Sequence, residues 1–189
     1  DINNDGVKEI LVADESGYVY VWDKNGANMP GWPKVIFNSS IRDYASIVVD
    51  DLDSDNNKEI LVASGKFLGI GKLHIFDKNG MYVKNWPQST NTYGLVTPAV
   101  GDVDGDGKKE IVAIGEKQNT GTVYLWNFDG LIMPGWPKKI DAQFIAGPSL
   151  GDLDKDGKLD IIFADYNGTV YAYRFDGNPL PNWPKHIGT

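Results

Sequence analysis

Carboxylates recur along this chain at a spacing suited to a hard cation. Gly101–Glu110 reads GDVDGDGKKE and places Asp102, Asp104, Asp106 and Glu110 within nine residues. Like charges this close repel unless something positive sits among them. Calcium accepts about six to eight oxygen ligands from carboxylates, carbonyls and water in flexible geometry. In this reading Asp102, Asp104 and Asp106 turn inward, the Lys108 carbonyl adds a ligand, and Glu110 closes the set. Gly107 permits the sharp bend after Asp106. The opening follows an EF-hand loop, but the closing acid stands at the ninth position and β-type sequence flanks the loop instead of helices. Magnesium fits less well, because it demands a near-ideal octahedron and keeps its own water.

The stretch recurs as DINNDGVKE at 1–9, DLDSDNNKE at 51–59 and DLDKDGKLD at 152–160. The candidate ligands there are Asp1, Asn3, Asp5 and Glu9; Asp51, Asp53, Asp55 and Glu59; and Asp152, Asp154, Asp156 and Asp160. Asn3 offers an oxygen without charge, Asn56 stands where the other loops have glycine, and Asp160 is shorter than a glutamate. The four loops hold fifteen of the 26 acidic residues, and four calcium ions would cancel the net charge of -8. One such loop could be an ordinary Asp/Asn-rich turn; four in register point to structural calcium, up to four ions.

Starts at residues 1, 51, 102 and 152 define a repeat of about 50 residues. Each copy continues with a β-branched run (EILVA, EILVA, EIVAI, DIIFA) and a second apolar run (YVYVW, KLHIF, TVYLW, TVYAY). A tight turn follows (DKNG, DKNG, NFDG, RFDG), and six residues after its glycine comes Trp32, Trp86, Trp136 or Trp183, each followed by proline. Proline confines the next segment to a sheet edge. Small-residue runs at 44–49, 95–100 and 145–150 lead into the next acidic loops. Four short strands per unit predict an all-β fold of propeller blades, each a four-stranded antiparallel sheet. The repeats are 1–43, 44–94, 95–144 and 145–189 within a single repeat domain, and the first lacks an innermost strand. The expected assembly is a partial propeller, or half of an eight-bladed ring completed by a second chain as a homodimer.

The net charge of -8 opposes nucleic acid as a partner. No apolar run approaches the ~20 residues that span a bilayer, and there are no cysteines for disulfide or thiolate chemistry. The Trp-Pro tryptophans are expected between blades, although an exposed set would suit sugar stacking. Trp22, Phe76, Trp126 and Tyr173 share one repeat position and are expected in the core, as is His74. His186 has no evident partner. The serines lie in no nucleophile-elbow context, and Asn38-Ser39-Ser40 and Asn167-Gly168-Thr169 fit the glycan-acceptor pattern. Arg42, Lys66, Tyr93 and Lys117, placed in the linkers between paired strands, are the side chains that a catalytic reading would use.

With these residues in view, the chain resembles the FG-GAP/VCBS repeat family, the calcium-loop propeller repeats also present in integrin alpha subunits. The resemblance rests on DINNDGVKEILV, DLDSDNNKEILV, GDVDGDGKKEIV and GDLDKDGKLDII, with TPAV at 97–100 and GPSL at 147–150 at the place of the inner strand. It implies structural calcium at the four loops and a non-catalytic interaction or scaffold module of a secreted, cell-surface or periplasmic protein, binding a protein or glycan ligand. It also implies an alternative, a carbohydrate-active module like the propellers of polysaccharide lyases.

Overall fold

The computed structural model describes residues 1–36, 44–65, 70–144 and 146–187. Asn38-Ser39-Ser40, Arg42, Lys66 and Ile145 lie outside the described residues. The chain divides into two compact units, Asp1–Leu95 and Val96–Thr189.

In the first unit, β1 (Ile10–Ala13), β2 (Tyr18–Trp22) and β3 (Lys34–Val35) form a three-stranded antiparallel sheet. A four-stranded sheet follows, in the order β4 (Tyr44–Asp50), β5 (Glu59–Gly65), β6 (Lys72–Phe76) and β7 (Gln88–Ser89), and then the short strand β8 (Gly94–Leu95). The second unit pairs β9 (Ala99–Gly101), β10 (Glu110–Lys117), β11 (Thr120–Trp126) and β12 (Lys138–Ile140) in sequence order. Its other sheet is β13 (Ser149–Gly151), β14 (Asp160–Ala164), β15 (Thr169–Tyr173) and β16 (Lys185–His186). These are the expected propeller blades, two in each unit. Among the described residues the first has three strands.

In the second, third and fourth blades the acidic loop joins the first strand to the second, and in the first blade it leads into β1. The edge strand begins just after Trp-Pro, where proline cannot break a ladder. All four Trp-Pro bonds are cis. The first strands of the third and fourth blades are shorter than the small-residue runs suggest and begin at Ala99 and Ser149, just after Pro98 and Pro148. A second correction concerns the longer linker of the third repeat. It is a hairpin: β10 and β11 pair as far as Lys117 with Thr120 around a two-residue turn. Lys117 is therefore a strand residue.

A blade has two faces and buries them against neighbours. In the first unit Ile2, Val19, Val21 and Trp32 of the first blade pack with Ile60, Val62 and Phe76 of the second. Trp32 meets Phe76 edge-on at 5.6 Å and donates its indole N–H to the Lys78 carbonyl at 3.1 Å. In the second unit Trp136 repeats this toward Tyr173 and the Phe175 carbonyl, at 6.0 and 2.7 Å. The inter-blade role thus holds for Trp32 and Trp136. Gly31 permits the approach, since a Cβ there would stand 1.9 Å from the Asn79 carbonyl oxygen. Trp22 departs from the expectation of a core position and is only half-buried.

His74 is buried, with Nδ1 2.8 Å from the Tyr82 hydroxyl and Nε2 3.2 Å from Ser64 Oγ. Burial first, then the Lys72 charge, pushes it down to about 4. The fold keeps the ring neutral while the unfolded chain protonates near 6.5, so His74 supports stability fully above that value and loses the support as pH falls toward 4. Tyr20, Tyr124 and Tyr171 occupy the same repeat position. In urea unfolding, wild type is expected to lose on the order of 2–3 kcal/mol more than His74→Tyr between pH 7 and pH 4.5. Equal pH dependence in the two proteins would rule out this role.

Candidate cation-binding loops

The loops bring carboxylates together in a common pattern. Asp1, Asp5 and Glu9 each offer an oxygen within 4.8 Å of the others, as do Asp51, Asp53 and Glu59; Asp102, Asp104 and Glu110; and Asp152, Asp154 and Asp160. Asp55, Asp106 and Asp156 stand outside these groups. Each turns an oxygen to the backbone N–H two residues on, at 2.7, 2.8 and 2.9 Å. Lys108 provides the N–H in the third loop. Asn3 is tied to Asp5, accepting its N–H and donating to its carboxylate, both at 3.0 Å.

Backbone conformation makes the grouping possible. The first aspartate accepts N–H groups from positions five and six, as Asp102 does from Asp106 at 3.1 Å and Gly107 at 3.0 Å. This closure needs left-handed backbone at position six, with φ of +90° at Gly107 and +68° at Asn56. Asparagine tolerates that region best among the alternatives to glycine. Position four is left-handed too, at Asn4, Ser54, Gly105 and Lys155. Its residue types are too varied for the sequence to have signalled it.

The closing acid has a second duty that the spacing alone did not reveal. Its carboxylate accepts the backbone N–H of the second loop residue: Ile2 to Glu9 at 2.8 Å, Leu52 to Glu59 at 3.0 Å, Val103 to Glu110 at 3.0 Å, Leu153 to Asp160 at 2.9 Å. Glu59 and Glu110 are buried. Burial, opposed by that N–H and reinforced by the three aspartates of each loop, pushes both up to about 7. Asp160 is raised by the same causes, burial first. In the fourth loop Arg174 donates to Asp154 at 2.6 Å. That bond holds the guanidinium above its usual range.

Oxygen donors only, net negative charge and closing acids raised by burial and then by neighbouring aspartates are the donor chemistry of a hard divalent cation. The four groups can chelate such an ion. Of the catalytic candidates, Lys117 ends β10 and Tyr93 is half-buried near β8.

The FG-GAP-like repeat family matches residues 1–62, 51–113 and 102–163. This chain belongs to that family. No curated protein matches the sequence. Among solved structures, the Vibrio cholerae biofilm matrix protein Bap1 aligns with a TM-score of 0.62 at 21% identity, over 98% of this chain and 29% of its own. The C-terminal domain of Pseudomonas aeruginosa PilY1 aligns at 0.62 and 14% identity, over 88% and 38%. The Bacillus licheniformis rhamnogalacturonan lyase aligns at 0.62 and 15%, over 99% and 50%. The chain thus spans half or less of each, and the likeness is one of fold.

Gly107→Ala is expected to cost about 1 kcal/mol, the penalty of a Cβ in left-handed backbone, and Gly107→Asn only a fraction of it. Urea denaturation of the two variants checks the order.

Proposed function

We propose that the chain is a calcium-stabilised, non-catalytic interaction module of a protein that works outside the cytosol. The observation that carries this is the fourfold recurrence of a three-carboxylate group, closed in three of the four loops by a buried acid. Calcium would be held by Asp102, Asp104, Asp106, the Lys108 carbonyl and Glu110, and by the matching residues of the other loops. Its charge offsets the burial, and the aspartate repulsion behind it, that raise Glu59 and Glu110. Extracellular calcium, commonly millimolar, keeps weak sites filled. Two neighbours of the same fold, the biofilm matrix protein and the PilY1 domain, support a surface or extracellular setting. The lyase keeps a carbohydrate-active module as the second reading. Among the described residues no helix is long and apolar enough to cross a membrane.

The first blade also presents a face for a partner. Ile10, Val12 and Tyr18 are 52%, 38% and 39% exposed, and Tyr20 stacks between Tyr18 and Trp22 at 6.0 and 5.2 Å. The same face of the second blade, with Ile60, Val62 and Phe76, is buried under the first. Another blade of this type therefore fits it, and a second copy of the chain would supply one. Sedimentation is expected to show self-association that Tyr18→Glu abolishes; a wild-type monomer at high concentration would count against pairing.

Calcium is expected to raise the melting temperature and chelation to lower it. A hundredfold excess over Kd corresponds to about 2.7 kcal/mol per site. Glu110→Gln keeps a carbonyl for the Val103 N–H but removes the buried charge. It should melt higher than wild type in chelator and gain less from calcium. Unchanged melting with and without calcium, together with no ion retained on equilibrium dialysis, would sink the proposal.

A further inference from the structure

The second unit contains a polar cleft formed by residues outside the acidic loops. It measures about 270 Å³ and is lined by Asn119, Asp141, Ala142, Gln143, Tyr166 and Asn167. Three chain segments assemble it. Asn119 stands in the two-residue turn between β10 and β11, where Gln118 and Asn119 both take left-handed backbone, with φ of +54° and +66°. Asp141, Ala142 and Gln143 leave the edge strand β12, anchored by Ala142 and Phe144 in the core. The Phe144 N–H donates to the Glu116 carboxylate. Tyr166 and Asn167 form the turn between β14 and β15. The Tyr166 N–H donates to the Gln143 carbonyl at 2.8 Å, and Gln143 Nε2 donates to Asn119 Oδ1 at 2.6 Å. These bonds tie turns from adjacent blades into one preorganised wall.

Tyr166 is 69% exposed and lies outside the buried core. The turn Asp165-Tyr166-Asn167-Gly168 has a counterpart in the first blade, Asp14-Glu15-Ser16-Gly17. Both close with the glycine N–H on the aspartate carbonyl, at 3.2 and 3.1 Å. Both aspartates accept a following N–H at 2.8 Å, from Thr169 and from Tyr18. The same geometry therefore forms with a glutamate where the cleft has an aromatic ring. An exposed ring on a rigid turn, beside amides and a carboxylate, suits a ligand with an apolar C–H face and a rim of hydroxyls.

We propose that this cleft is a binding subsite for a neutral saccharide. Tyr166 offers its ring to the sugar face, while Asn119, Gln143, Asn167 and Asp141 exchange hydrogen bonds with hydroxyls. The bond between Asn119 and Gln143 uses one acceptor and one donor, and the two amides own more of each. Among the described residues the lining contains no Lys or Arg and does contain Asp141, so uronates, sulfates and phosphates are disfavoured. Apart from the ring, Ala142 is the one apolar residue among the described lining residues, which leaves little to bury an apolar peptide side chain. The inference rests on the reading of the chain as a recognition module and supplies a ligand class for it.

The test is an NMR titration of the ¹⁵N-labelled full chain in calcium. The probes are β-1,4-linked gluco-, xylo-, manno- and galacto-tetraose at millimolar concentration, with tetragalacturonate as the acidic counterpart. At least one neutral tetraose should shift the Asn119, Gln143 and Asn167 side-chain amides. Tyr166→Ala should weaken that binding about tenfold, the loss of one aromatic anchor. Calcium-dependent melting of Tyr166→Ala should match wild type and so report separately on the scaffold. No perturbation by any neutral tetraose, tighter binding of tetragalacturonate, or undiminished binding by the variant would each overturn the subsite. Shifts that persist in a chain whose melting ignores calcium would uphold the cleft and remove the calcium reading.

Discussion

One hydrogen bond per repeat links the acidic loop to the fold, from the backbone N–H of the second loop residue to the closing carboxylate. It aims the second residue away from the loop and into the packing beyond. Ile2 joins the core of the first unit and Val103 that of the second. Leu153, held the same way by Asp160, is 49% exposed. The same bond draws the closing acid off the surface and sets it among aspartates, where ionising Glu59 or Glu110 is opposed by burial and repulsion. Burying one Val or Ile contributes about 1.5–3 kcal/mol, whereas an uncompensated buried charge costs several. Apolar packing alone does not offset that cost, which is why a cation fits the loop.

The blades meet through a second device. A tryptophan six residues after a turn glycine crosses to the next blade, where its ring packs edge-on and its N–H finds a carbonyl. Both halves are needed, since a buried indole without a partner forfeits a hydrogen bond. Gly31 and Gly135 let the backbone come close enough; a Cβ on Gly135 would sit 2.0 Å from the Asp176 carbonyl oxygen. Burial therefore depends on the neighbour. Trp32 and Trp136 are covered within their units, while Trp22 lies on the open face of the first blade.

Much of this was legible because repetition averages out local ambiguity. A single DVDGDG is a turn with charges, but four copies at constant spacing, each followed by two β-branched runs, specify loop, strand order and edge. Less was legible where the relevant partner is remote in sequence or generic in type. Arg174 reaches Asp154 across twenty residues. Lys117 belongs to a hairpin whose turn, Gln118-Asn119, lacks the glycine that usually marks one. The polar cleft draws on three segments whose residues are unremarkable singly.

The sequence by itself determined the repeat, its alternation of strand and turn, and which oxygen-bearing residues share a loop. Those are set by chemistry within a few bonds of one another: φ at a glycine or asparagine, β-branching, charge at fixed spacing. Tertiary structure decided which of those carboxylates are buried, which aromatic faces stay open, and that Tyr166 stands beside Asn119 and Gln143. Burial and juxtaposition depend on the neighbouring blade, and no local pattern encodes what a neighbour covers.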